Sequence, residues 1–435
     1  MELTVSTAVG KSLDFVPSRL IQHAEERPDQ VVLAFLDEHG SIQHSWTFGQ
    51  LDRRARSIGA HLQQRGLSGE PVALSYPSEL EFVAAFCGCL YAGAIAVPTT
   101  LPKSHGVDER MAMIVADSGA RAVLTSRRYL GAIERRLAEA SSAATAIGTD
   151  ALSDRSPEWA PVEWRGEQLA LLQYTSGSTR SPSGVMIRHR NLAANLECLH
   201  QVWRTHRDSV SVSWLPLFHD MGLIAGVLQP LWVGYATFLM APATFVQSPL
   251  RWLRAFSRYG GTIGGGPNFA YEACVEAAQA APPTDLDLSR WELAWNGAEP
   301  IRATTLDAFR ATFSAYGFRA SSLTPGYGLA EATLLVTGSN AVQPALELVV
   351  DELELGNDRV RRCAPESARA KRLVSSGRPG PATDLRIVQR DGRVEVGQGE
   401  VGEIWVRSDS VGAGYWRKAE ETLATFDGRL RSGDG

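Results

Sequence analysis

The 435-residue sequence predicts an α/β protein: two doubly wound, mostly parallel sheets flanked by helices, plus a small C-terminal β-barrel. Three observations lead there. Short apolar runs alternate with helical stretches of about ten to fifteen residues, the pattern of parallel strands joined by crossover helices. The runs are too many for one comfortable sheet. Beyond about residue 340 the rhythm gives way to short strands joined by glycine turns, which is antiparallel material.

In chain order, Leu51, Ala55, Ile58 and Leu62 recur at helical spacing and mark one amphipathic helix. Strands are expected at Pro71–Tyr76, Ala94–Val97, Arg121–Thr125 and Leu169–Tyr174, with helices around 77–92, 107–118 and 128–140 between them. The alternation resumes at Val210–Trp214, Ala236–Met240, Gly261–Gly265, Glu292–Asn296 and Ser322–Pro325. Val360–Arg372 is charged and rich in alanine and serine. After it, Asp384–Val388, Arg393–Val396 and Glu403–Val406 are the expected barrel strands, with Asp391-Gly392 as a turn. The α/β layers are therefore expected at roughly 70–200 and at 12–65 plus 205–338, and the barrel at 340–435.

Composition narrows the function. Hydrophobic residues make up 44% and charged residues 21%, which excludes disorder and fibre, and a net charge of −5 gives no electrostatic ground for a nucleic-acid partner. Five scattered cysteines do not form a disulfide framework, and Cys87-Gly88-Cys89 reads as core. The uncharged stretches Phe82–Pro102 and Met221–Leu250 are broken by Gly93 and Pro98, and by Pro230, Gly234 and Pro242. Neither offers the unbroken apolar run of about twenty residues that a spanning helix needs, so each reads as a buried helix followed by a buried strand. With no secretory signal, a soluble cytoplasmic protein is expected. Of 43 basic residues only four are lysine: Lys11, Lys103, Lys371 and Lys418.

The strongest local signal is Leu172-Gln173-Tyr174-Thr175-Ser176-Gly177-Ser178-Thr179-Arg180-Ser181-Pro182-Ser183-Gly184-Val185. A buried strand runs into a loop of small hydroxyl residues around glycine, which offers backbone N–H groups and hydroxyls to an anion. No Gly-Lys-Ser/Thr closes it, so it is not a Walker A loop.

This loop resembles the signature of the adenylate-forming enzymes: acyl-CoA ligases, peptide-synthetase adenylation domains and firefly luciferase. Further matches follow in that family's order. They are Leu215-Pro216-Leu217-Phe218-His219-Asp220-Met221-Gly222-Leu223, Asn296-Gly297-Ala298-Glu299-Pro300, Thr324-Pro325-Gly326-Tyr327-Gly328-Leu329-Ala330-Glu331-Ala332-Thr333 and Gly433-Asp434-Gly435. Within the family the chain is most similar to the fatty acyl-AMP ligases, which share the His-Asp-Met-Gly-Leu string. It writes Thr-Arg-Ser-Pro-Ser-Gly where CoA ligases usually write Thr-Gly-x-Pro-Lys-Gly. The 46 positions from Glu331 to Gly377 leave room for the insertion that marks this branch, expected near 349–372.

The resemblance implies attack of a fatty acid carboxylate on the α-phosphorus of ATP, giving acyl-adenylate and pyrophosphate. Transfer to the phosphopantetheine arm of an acyl carrier protein would follow, in lipid, polyketide or lipopeptide synthesis. It implies magnesium held by Glu331 and Thr175, and phosphates cradled by Thr175, Ser176, Gly177, Ser178 and Thr179. Adenine would lie against Gly326, Tyr327 and Gly328, with Gly297, Ala298, Glu299 and Pro300 as the facing wall. Asp434 would take the ribose hydroxyls. His219 stands where amino-acid-activating domains place an aspartate, which points to an acid lacking an α-amine, and Met221, Gly222 and Ile224 behind it would meet the acyl chain. Thr175, His219 and Glu331 are thus the expected catalytic residues. No lysine here lies in a family motif, and the small mobile domain that carries the family's catalytic lysine is absent. A chain stopping at Gly435 is therefore expected to be the large N-terminal portion of a longer enzyme, slow on its own and monomeric. The competing readings are an acyl- or aryl-CoA ligase and a non-catalytic nucleotide-binding docking module.

Overall fold

The computed structural model describes residues 14–102, 109–152, 158–175, 182–339, 345–389 and 394–432. The first strands, β1 (Val31–Leu36) and β2 (Ile42–Thr47), form an antiparallel hairpin. Thr47 then caps the helix Phe48–Gln64: its hydroxyl accepts from the Gln50 N–H at 3.3 Å while the Gln50 side chain accepts from the Thr47 N–H at 2.8 Å. The six strands β3 (Pro71–Ser75), β4 (Ile95–Thr99), β5 (Ala122–Thr125), β6 (Thr145–Gly148), β7 (Leu169–Tyr174) and β8 (Gly184–Arg188) follow. They form one sheet in the order β6-β5-β3-β4-β7-β8, parallel except for β8. β3, β4 and β5 are buried along their whole length, which is why they read as unbroken apolar runs. Helices Leu80–Ala92, Arg110–Ser118 and Leu130–Glu139 fall where the sequence placed them.

Among the described residues the second sheet has nine strands. β9 (Val210–Ser213), β10 (Ala236–Met240), β11 (Ile263–Gly266), β12 (Leu293–Asn296), β13 (Leu323–Gly328) and β14 (Leu335–Gly338) join the first hairpin. Further on come β15 (Glu347–Asp351), β16 (Ala370–Val374) and β17 (Arg378–Pro379). The order is β17-β14-β13-β12-β11-β9-β10-β1-β2, with parallel pairing from β13 to β1 and antiparallel strands at both edges. The expected pair of mostly parallel sheets is what the fold contains. No helix among the described residues is long and apolar enough to cross a membrane. Leu80–Ala92 leads directly into β4, and Met221–Leu228 with Gln229–Val233 into β10.

The C-terminal part is antiparallel, as expected. Among the described residues β18 (Asp384–Val388), β19 (Glu403–Arg407) and β20 (Leu430–Arg431) make a three-stranded antiparallel sheet, and β15–β16 a separate ribbon. Closure needs a continuous ladder around the cylinder; among the described residues the two sheets are joined by isolated bridges such as Arg359 with Glu400. Of the expected strand Arg393–Val396, residue 393 lies outside the described residues and Glu395 makes one bridge to Val388. The stretch 349–372 lies within the ribbon and its connection. Arg372 ties it to the α/β body, 2.6 Å from Asp307 on helix Ala303–Phe313 and 2.5 Å from Glu347.

Candidate functional site

Parallel strands leave their binding groups at the carboxyl ends. β12 and β13 pair in register, Trp295 beside Thr324 and Asn296 beside Pro325, so two quoted motifs emerge side by side from one edge. A Cβ on Gly297 would stand 2.9 Å from the Gly326 carbonyl oxygen, so only glycine lets the two turns approach this closely. Beside it Ala298 holds φ +68°, a left-handed conformation costly for a residue with a side chain. The end of β7 faces them from the other sheet, and between them lies a cavity of about 460 Å³.

Nine of the expected residues line this cavity: Thr175, His219, Met221, Gly297, Ala298, Gly326, Tyr327, Gly328 and Glu331. Glu331 sits in a 3-10 turn just after β13, and its carboxylate accepts a hydrogen bond from the Tyr415 hydroxyl at 2.7 Å. The Thr175 N–H donates to the Ser183 carbonyl at 3.3 Å, and its own carbonyl accepts from the Arg110 guanidinium at 3.2 Å. The His219 Nδ1 lies 2.5 Å from the Asp220 carboxylate. Burial pulls the His219 pKa down, but the hydrogen bond and charge of Asp220 outweigh it and leave the ring above its ordinary value.

Four expected residues do not line the cavity. The Glu299 carboxylate accepts the Phe269 N–H at 2.7 Å, capping the start of helix Asn268–Ala280, and Pro300 beside it is exposed. Gly222 packs helix against loop: a Cβ there would lie 2.1 Å from the Pro216 oxygen. Ile224 is fully buried in the core. Met221–Leu228 is wound as a π-helix, and its wider turn puts Ala225 rather than Ile224 beneath Met221 at the cavity wall. Ser176, Gly177, Ser178, Thr179 and Asp434 lie outside the described residues.

Sequence reasoning missed several groups. Gln173, Asn296 and Thr324 line the cavity while almost fully buried, and the Gln173 Oε1, both polar atoms of the Asn296 amide and the Thr324 hydroxyl have no partner among the described residues. Buried polar atoms rarely stay unpaired unless a ligand or water completes them. All three sat inside the quoted motifs, so only their direction was hidden. Trp203 and Trp295 stack at 6.1 Å and 8° and, with Leu334 and Leu335, give the cavity an apolar side. No local pattern announces Trp203 or Tyr415. Among the described residues no three histidine, cysteine or acidic side chains cluster to hold a metal. The arrangement offers one carboxylate and a hydroxyl to a hard cation, unpaired polar atoms to a heteroaromatic or sugar, and an apolar wall.

The chain is similar to known proteins over most of its length. A family model described as AMP-binding enzyme matches residues 20–416. The chain is 38% identical over 413 residues to a medium-chain-fatty-acid–[acyl-carrier-protein] ligase of Moorena producens, covering 92% of this chain and 70% of that protein. It is 37% identical over 431 residues to a long-chain-fatty-acid–AMP ligase of Mycolicibacterium smegmatis, covering 95% and 68%. Its structure is similar to that of a fatty acyl-adenylate ligase of Legionella pneumophila in complex with acyl adenylate and pyrophosphate, with a TM-score of 0.90, 36% identity, and 96% and 74% coverage. Peptide-synthetase adenylation domains share the fold at 20% identity and a TM-score of 0.89.

Proposed function

Since this chain belongs to the family of AMP-binding enzymes, we propose that it activates a fatty acid with ATP, forming an acyl-adenylate for transfer to an acyl carrier protein. A carboxylate oxygen attacks the α-phosphorus, a new P–O bond forms, and the bond to pyrophosphate breaks. The observation that carries the reading is the convergence of Glu331, Thr175, His219 and Tyr327 on one cavity into which unpaired polar atoms of Gln173, Asn296 and Thr324 also face.

Two anions must meet in this reaction, so the site has to offset charge and hold the line of attack. Glu331 and Thr175 suit Mg²⁺, which is commonly held by one or two carboxylates with the substrate's phosphates completing its shell. Bound there, Mg²⁺ supplies positive charge against the phosphate oxygens. Tyr415 fixes the Glu331 carboxylate from behind. Asp220 anchors the His219 Nδ1 and leaves Nε2 to donate to a carboxylate or phosphate oxygen, a role the raised pKa favours. Adenine lies against Tyr327 and the Gly297 turn, where Asn296 and Thr324 supply partners. Met221, Ala225 and the Trp203–Trp295 stack receive the acyl chain.

The test is mass spectrometry of products after incubation with ATP, Mg²⁺, hydroxylamine and fatty acids of graded length. Acyl hydroxamates are expected from the wild type and not from Glu331→Ala. Binding of AMP without any acyl-adenylate would instead favour a docking module.

A further inference from the structure

The proposed reaction leaves the length of the fatty acid open, and the apolar end of the cavity bears on it. Trp295 on β12 sits in register with Gly265 on β11. A Cβ at Gly265 would fall 2.5 Å from the Trp295 ring, so the indole lies across the neighbouring strand where only glycine leaves room. The β11–β9 register, Ile263 beside Ser211, puts Ser213 level with Gly265. Over this row runs the π-helix Met221–Leu228, where a Cβ on Gly226 would come 3.0 Å from the Ser213 hydroxyl. Ala225 of the same turn lines the cavity. Helix and sheet therefore meet through the small residues Ser213, Gly265, Ala225 and Gly226, and the Trp295 indole stands between them and the cavity.

The indole is held in place. Trp203, the last residue of helix His189–Trp203, stacks on it with ring centroids 6.1 Å apart and planes 8° from parallel. The Trp295 carbonyl accepts from the Tyr271 hydroxyl at 2.7 Å, and both tryptophans are buried. Leu334 and Leu335 close the side of the same apolar end. The cavity of about 460 Å³ has to seat nucleotide and acid together, yet it lies in the lower half of the range of about 300–1,000 Å³ typical for one drug-sized ligand. Methylenes beyond the stack have to displace a packed ring, and interiors packed to crystal density resist that.

Resting on the reading that this cavity forms a fatty acyl-adenylate, we propose that Trp295, braced by Trp203, is the chain-length stop of the acid pocket. The protein takes medium-chain acids and excludes long-chain acids, whose tails need the space that the indole fills between Gly265 and the π-helix.

The experiment is calorimetric titration of this chain with acylsulfamoyl adenosines, stable mimics of the acyl-adenylate, carrying hexanoyl, octanoyl or hexadecanoyl tails, with AMP as the reference. Wild-type affinity is expected to rise from hexanoyl to octanoyl by about fourfold per methylene, the worth of one buried methylene. Hexadecanoyl is expected to bind at least about tenfold more weakly than octanoyl, the penalty of a tail that does not fit. Trp295→Ala is expected to reverse that order. A wild type that binds hexadecanoyl as tightly as octanoyl, or a Trp295→Ala variant that keeps the wild-type order, overturns the stop. If Trp295→Ala does not fold, Trp203→Ala, which removes the brace, replaces it with the same expected reversal. A wild type that binds AMP but gains nothing from any acyl tail refutes the fatty-acid reading itself, and the stop falls with it. Tail-dependent binding without a cut-off overturns the stop alone.

Discussion

Asn296 gives the sharpest prediction, because binding and stability should respond to it in opposite directions. Its side chain is 1% exposed, and neither polar atom of its amide has a partner among the described residues. An unsatisfied buried polar group costs about 1–3 kcal/mol. Asn296→Leu, close in volume, removes that cost, so the ligand-free protein should gain about 1–3 kcal/mol against urea. The same change removes up to two hydrogen bonds to a bound nucleotide, worth about 0.5–1.5 kcal/mol each, so AMP should bind roughly ten- to a hundredfold more weakly. Urea melts followed by tryptophan fluorescence give the first quantity, and calorimetric titration with AMP the second. A variant that loses stability would show that Asn296 is a structural residue with a partner in solution. One that gains stability but binds AMP normally would place the nucleotide elsewhere. Thr324→Val, the neighbouring strand's version of the experiment, should move both quantities in the same directions by smaller amounts.

Tyr415→Phe removes the hydroxyl that holds Glu331; the Mg²⁺ concentration giving half-maximal acyl-adenylate formation should rise about tenfold, as for lost supports of metal ligands, and an unchanged titration refutes the support. His219 has its pKa raised above the ordinary imidazole value, against burial, by Asp220, so a step needing its proton is complete at low pH and declines as pH rises through this raised pKa; pH–rate profiles should show this limb in the wild type and not in His219→Asn. His23 is held down to about 4 by burial and by Arg27, and His189 to about 4 by burial alone. Between pH 6.5 and 4 the unfolded chain binds those protons and the folded chain does not, so stability should fall with acidification across that window, by at most about 3 kcal/mol per histidine. Urea midpoints that stay flat from pH 6.5 to 4 contradict it.

The fold was most legible where burial is two-sided. β3, β4, β5 and β7 announce themselves as apolar runs because both faces of a parallel sheet meet helices. The first hairpin escaped notice because β2, Ile-Gln-His-Ser-Trp-Thr, is a mostly exposed edge strand with no alternation to read. The C-terminal strands were legible as antiparallel material but not in how they join, because that is a property of long-range hydrogen bonds, which short strands do not encode. In the site, Glu331, Tyr327, Thr175 and His219 were readable from motifs, since each lies at or just past the end of a strand or just ahead of a helix, where the motif and the element boundary coincide. Ile224 was misplaced because sequence does not show whether a helix winds as α or π. Tyr415 was invisible, being 84 positions from the Glu331 carboxylate it holds.

The segment that carries Tyr415 runs along β8 as an added strand, residues 413–416, and sets a clock on synthesis. Domains fold as the chain emerges, and contacts of large sequence separation form last. β7 and β8 leave the ribosome more than two hundred residues before the segment that supplies Tyr415. A nascent chain thus holds both sheets and the aromatic wall before the hydroxyl that steadies Glu331 exists. The cavity is completed late, by a segment that can pair with β8 only after both sheets have left the ribosome.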